Sequence, residues 1–155
     1  MTKEIKSERQ NIKIVLIEDS TSDARIIYEL LEDNKSVDYT IKWHTTLAAG
    51  LDHLKTSECD IIFSDMHLPD AAGLHIVEMI YHSHPNIPII ALSRIYDKDT
   101  EWQSKNLGAQ DFLLKDGLDG ILLTKVIKYA IDRCRREYEL RKSRESLQKI
   151  VWRIP

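Results

Sequence analysis

Hydrophobic residues along this chain fall into short continuous runs separated by stretches of helical periodicity. Ile12-Lys13-Ile14-Val15-Leu16-Ile17, Asp60 to Ser64, Ile87 to Leu92 and Phe112 to Leu114 are the runs. Their brevity and their lack of polar alternation suit strands covered on both faces, as a parallel sheet requires. Tyr39-Thr40-Ile41-Lys42-Trp43 alternates instead, which predicts a half-exposed edge strand. Pro88 is tolerable close to the start of its run.

The intervening segments read as helices. Ser20, Thr21 and Ser22 offer caps for a helix carrying Ala24, Ile27 and Leu31 at helical spacing. Leu47, Leu51 and Leu54 mark a second helix, and Leu74, Val77 and Ile80 a third that Pro85 stops. Asp97 to Leu107 has good helix formers but a thin apolar stripe, which predicts a mobile or partner-facing helix. Trp102 within it is either a lid on the core or a docking anchor. Gly108-Ala109 punctuates, and Asp119 caps a long last helix with Leu122, Val126, Ala130 and Arg133 on one line. Five strand-helix repeats predict an α/β fold with a doubly wound, five-stranded parallel sheet.

Beyond about Ile131 the last helix becomes strongly charged, too polar to pack on a sheet along its length. The chain therefore divides into a polar N-terminal extension (1–11), a domain (12–133) and a charged C-terminal helical extension (134–155), expected to project. In that extension Ile127, Ile131, Cys134 and Tyr138 follow a 4-3-4 spacing, and Leu140, Leu147 and Ile154 recur every seven in a shifted phase. A broken heptad of this kind marks a helix able to pair between chains or to lead into an output module.

With 155 residues and a formal net charge of -3, the chain is one domain plus an appendage, without the bulk charge of a nucleic-acid or membrane binder. No stretch approaches the ~20 apolar residues that span a bilayer. Cys59 and Cys134 have no metal-type spacing, so a reducing, cytoplasmic setting is expected. The six histidines form no metal set, and His82 and His84 fall at a helix end.

Four strand runs end in polar groups: Glu18-Asp19, Asp65, Ser93 and Lys115. In a parallel sheet these converge on one crevice. Adjacent acids with a third carboxylate at a neighbouring strand end make a hard-oxygen site for magnesium, and Lys115 with Ser93 can bind phosphoryl oxygens. The set suits phosphoryl transfer to a carboxylate nucleophile. Taken alone, Glu18-Asp19 is equally an acidic helix-capping turn, Ser93 a strand-end hydroxyl and Phe112 a core aromatic.

In order along the chain, Glu18-Asp19, Asp65 with Leu68-Pro69-Asp70 and Gly73, Leu92-Ser93, Gly108-Ala109 with Asp111-Phe112, and Lys115 resemble the receiver domain of two-component response regulators. The resemblance runs from Ile12 to about Arg133 and implies a chemotaxis-type, flavodoxin-like strand order, 2-1-3-4-5. It implies that Asp65 accepts a phosphoryl group from a sensor histidine kinase or a histidine phosphotransfer protein. Asp19, Glu18, Asp65 and the backbone carbonyl of His67 would bind Mg2+. Lys115 would pair with the phosphoryl charge, Ser93 would hydrogen-bond it, and Phe112 would be the aromatic that turns inward when Ser93 moves. Such a domain is a switch rather than an enzyme. Candidate homodimer surfaces are the C-terminal helix and the face of the fourth helix, fifth strand and fifth helix.

Three residues depart from the family pattern. Asp116 follows Lys115 where a cis proline is usual, which predicts a trans bond or a strained cis one. Arg94 replaces a small residue beside Ser93, so that it covers the acceptor or adds positive charge to it. Phe112 lacks the phenol of the commoner tyrosine. These departures keep open a receiver-fold adaptor that works unphosphorylated. An aspartate-nucleophile phosphatase is the remoter alternative, since it wants a second aspartate where His67 stands; His67 is also a candidate modulator of phosphoryl lifetime.

Overall fold

The computed structural model describes residues 9–151. Five strands alternate with five helices: β1 (Gln10–Ile17), α1 (Thr21–Glu32), β2 (Val37–His44), α2 (Leu47–Thr56), β3 (Ile61–Asp65), α3 (Leu74–Ser83), β4 (Ile89–Ser93), α4 (Lys98–Asn106), β5 (Asp111–Leu114) and α5 (Gly120–Val151). The strands form one parallel sheet in the order β2-β1-β3-β4-β5. This is the expected doubly wound, flavodoxin-like order. Residues 1–8 of the polar extension and Ile154 of the heptad lie outside the described residues.

Two apolar layers flank the sheet. On one side Ile14, Leu16, Ile61, Phe63 and Leu92 pack against Ala24, Ile27 and Leu31 of α1 and Leu123 and Ile127 of α5. On the other, Val15, Ile17, Ile62 and Ile89 meet Leu47 and Leu54 of α2 and Ile76 and Ile80 of α3. β3 and β4 are buried at every position, as continuous hydrophobic runs require, whereas β2 at the edge is nowhere fully buried.

Helix boundaries follow local chemistry. The Ser20 side chain accepts from the Asp23 N–H to start α1, and the Thr46 hydroxyl accepts from the Ala49 N–H to start α2. Asp119 Oδ1 accepts from the Leu122 N–H at 2.7 Å at the head of α5. α3 stops at Ser83, two residues before Pro85.

One reading of the helices needs correction, and one open alternative is narrowed. The buried line of α5 is Leu123, Val126, Ile127, Ala130 and Cys134, while Leu122 is 42% exposed and Arg133 faces solvent. Leu122 and Leu123 are adjacent and both apolar, so spacing alone could not say which one faces the sheet. Trp102 is no lid, because 68% of its surface is exposed and Ser104 is the one buried residue of α4. From Arg135 to Ile150 every residue of α5 is exposed, so about 24 Å of helix carries no packed face, at 1.5 Å per residue. Its root is tied down by Cys134 Sγ donating to the Asn86 carbonyl at 3.2 Å and Arg141 Nη2 to Asn86 Oδ1 at 2.7 Å.

Candidate functional site

The sheet register brings the polar strand ends together. Ile17 of β1 lies opposite Ser64, Asp65 opposite Leu92, and Ser93 opposite Leu114. The Lys115 N–H donates to the Ser93 carbonyl at 2.8 Å, extending the ladder by one residue. Glu18, Asp19, Asp65, Ser93 and Lys115 thus sit at the C-terminal edge of the sheet. Parallel strands expose their carbonyl ends and loops there, and ligands enter there.

Lys115 is the hub. Its Nζ lies 2.7 Å from Glu18 Oε2, 3.0 Å from Asp23 Oδ2 and 3.1 Å from Asp65 Oδ2, with 8% of the side chain exposed. Burial opposes its charge, yet attraction to the Glu18, Asp23 and Asp65 carboxylates outweighs burial and raises its pKa. Glu18 is fully buried. Burial pushes its carboxyl up to about 7; Asp65 pushes the same way while Lys115 and the Ser20 N–H pull it down. The Glu18 backbone is fixed on both sides by β2, its N–H donating to the His44 carbonyl at 2.9 Å and its carbonyl accepting from Trp43 Nε1 at 2.7 Å.

Glu18, Asp19 and Asp65 offer carboxylate oxygens within 4.8 Å of one another. Glu18 Oε2 is buried without a hydrogen-bond partner, because the Lys115 contact is one of charge at an unfavourable angle. A buried carboxylate with an orphaned oxygen, grouped with two further carboxylates, fits a hard divalent cation such as magnesium. His67 is exposed, and its N–H donates to Asp65 Oδ1 at 3.3 Å. It forms an isolated bridge with Ala72, held by bonds from the Leu68 N–H to the Ala71 carbonyl and from the Gly73 N–H to the Met66 carbonyl, neither of which uses the His67 carbonyl. Gly73 takes φ 70 there, a conformation that favours glycine.

The Ser93 and Phe112 side chains have partners outside the acid cluster. The Ser93 hydroxyl donates to the Ile95 carbonyl at 2.9 Å, within its own loop. Phe112 is already inward, 7% exposed, in a small cluster with Met66, Val77, Ala91 and Ala109. The Lys115–Asp116 bond is trans, there being no cis peptide among the described residues, and Gly117 at φ 81 makes the turn.

Two residues of the site were missed in the sequence. Asp23, in the first turn of α1, accepts from Lys115 and also from Arg94 Nη2 at 2.7 Å on the same oxygen, Oδ2. Burial would raise its pKa, but these two cations hold it below the usual carboxylate range. An acid in a first helical turn reads as an ordinary dipole partner, so nothing local marked it. Asp70 was noted only within a motif; its two oxygens accept from the Leu47 and Ala48 N–H groups, each at 2.9 Å, and so bind the loop after β3 to the start of α2.

Residues 14–128 match the family model for the response regulator receiver domain. The regulatory protein LuxO of Vibrio vulnificus is 37% identical over 66 residues, covering 43% of this chain and 15% of LuxO. The response regulator ArlR of Staphylococcus haemolyticus is 36% identical over 105 residues, 66% of this chain and 45% of ArlR. A crystal structure of a CheY-like response regulator receiver domain protein from Methanospirillum hungatei superposes with a TM-score of 0.71 at 20% identity, over 83% of this chain and 99% of that one. At that identity the superposition bears on the fold alone. This chain spans less than half the length of either curated relative.

Proposed function

Because this chain belongs to the response regulator receiver domain family of two-component systems, we propose that it is a phosphorylation-dependent switch whose acceptor is Asp65. The observation that carries the reading is the placement of the Asp65 carboxylate 3.1 Å from a lysine whose side chain is 8% exposed, at the open edge of the sheet beside two further carboxylates. The donor is a phosphohistidine on a sensor kinase or phosphotransfer protein. An oxygen of Asp65 forms the new O–P bond as the P–N bond to the donor imidazole breaks, and the leaving nitrogen keeps the electron pair and is reprotonated.

Glu18, Asp19, Asp65 and the carbonyl of His67 would hold magnesium, which supplies neutralising charge to the phosphoryl oxygens. Lys115 contributes the protein's own positive charge. It is held at the site before transfer by the carboxylates around it. Ser93 exchanges its bond to the Ile95 carbonyl for one to a phosphoryl oxygen, which displaces the loop before α4. Phe112 carries that displacement into the small cluster of Met66, Val77, Ala91 and Ala109 by packing, since it has no hydroxyl. The domain spans residues 12–133, and the exposed part of α5 transmits the state or pairs with a second copy.

Incubation with phosphoramidate and magnesium, which presents a P–N bond like that of phosphohistidine, should give an acyl phosphate that hydroxylamine cleaves. Asp65→Asn should give none. An equal yield of adduct from the variant would overturn the assignment.

A further inference from the structure

We propose that Asp23 is an internal competitor for the phosphoryl group, a carboxylate that occupies Lys115 and Arg94 until the phosphoryl oxygens displace it. The inference rests on the reading of Asp65 given above and deepens it. A single atom, Asp23 Oδ2, lies 3.0 Å from Lys115 Nζ and 2.7 Å from Arg94 Nη2. It joins three elements, α1, the end of β4 and the end of β5, and it holds the place between two cations that an anionic ligand would take.

Three carboxylates from three segments enclose the lysine; its side-chain hydrogen bond goes to Asp23, and Glu18 and Asp65 hold it as charge contacts. A phosphoryl oxygen that takes Lys115 must displace one of them. Glu18 is fully buried and its backbone is pinned by His44 and Trp43. Asp65 is itself the acceptor. Asp23 is left: it sits at the rim with 15% of its side chain exposed, where water can take over its oxygens once the cations turn away.

Arg94 completes the device. It follows Ser93, whose hydroxyl is tied to the Ile95 carbonyl in this structure, so the loop is held by that bond and by the Arg94–Asp23 pair together. Movement of Ser93 towards a phosphoryl group carries Arg94 with it. Once free of Asp23, the guanidinium can offer paired N–H donors to phosphoryl oxygens, which a small residue at this position could not. Arg94 is thus a phosphoryl ligand in reserve, and Asp23 is the positioning residue that withholds it.

A structural ion pair and a competitor predict different signs. If the pair only braces the fold, Asp23→Asn and Arg94→Ala should change phosphoryl binding in the same direction. Under competition, Asp23→Asn frees both cations and tightens binding, whereas Arg94→Ala leaves Asp23 on Lys115 alone and weakens it. Each shift should be about fivefold, the size expected of one partly exposed charge pair.

The test is calorimetric titration of magnesium and beryllofluoride, a phosphoryl mimic, into the full chain, Asp23→Asn, Arg94→Ala and the double variant, with melting curves to establish folding. Tighter binding by Asp23→Asn, weaker binding by Arg94→Ala, and a double variant that binds more tightly than Arg94→Ala are expected. Binding by the parent together with same-sign shifts in the two single variants, or no shift in either, overturns the competitor and leaves the acceptor assignment standing. No binding by the parent overturns both.

Discussion

The Lys115 ammonium lies 2.7 Å from a Glu18 carboxylate that is fully buried. Removing the lysine leaves buried negative charge with no cation beside it. Lys115→Met should therefore destabilise the metal-free protein by about 3 kcal/mol above neutral pH, the cost of breaking one side of a buried ion pair. Urea unfolding measures it, and magnesium should restore much of the loss by taking over the neutralisation.

The same burial gives a pH dependence of defined sign. Glu18 titrates at about 7 in the folded chain against an ordinary 4.5. Below its unfolded pKa the carboxyl is neutral in both states; between the two values only the folded state keeps the proton; above about 7 the folded state must hold the buried charge. Its contribution to stability is thus lost as pH rises through about 7. His44 acts oppositely, since burial and then His53 lower its pKa, which costs stability as pH falls. The Glu18 part is isolated by the difference between parent and Glu18→Gln: in metal-free melts the variant should gain relative stability as pH rises from 4.5 to about 7 and level off above that. Magnesium competes with the Glu18 proton, so its affinity for the parent should fall on acidification through the same range.

Asp70 is a helix cap supplied from a distance, 23 and 22 residues from the N–H groups it accepts. Asp70→Ala should destabilise by about 1 kcal/mol through the freed donors of α2. Because the loop it ties down carries His67, the variant should also bind magnesium less tightly, which calorimetric titration would report.

Gly108 combines φ +123 with a close approach to Tyr81, whose Cδ2 would lie 2.3 Å from an added Cβ. Gly108→Ala must strain the backbone and displace a ring at once, and about 2 kcal/mol of lost stability is expected in denaturant unfolding.

Much of this architecture is written in the apolar pattern. Ala24, Ile27 and Leu31 were read as one helical face and all three are buried, and the alternation of Tyr39 to Trp43 marked the edge strand that β2 proves to be. The convergence of Glu18, Asp65, Ser93 and Lys115 followed from each ending a strand run, because parallel strands deliver their C-terminal ends to one side. Asp23 and Asp70 escaped because their partners, Lys115 and the start of α2, are remote in sequence, and an acid near a helix start or in a loop carries no mark of a distant contact. Leu122 and Trp102 show the limit of periodicity: it detects a helix, but a thin or doubled apolar stripe does not say which side meets the core.

The acceptor is tested most directly by locating the label on the chain. After reaction with phosphoramidate and magnesium, hydroxylamine converts an acyl phosphate to a hydroxamate that peptide mass spectrometry can place. The hydroxamate should appear on Asp65 alone and should require magnesium. A hydroxamate on Glu18, Asp19 or Asp23, or none on Asp65 in protein that binds magnesium, would contradict the account.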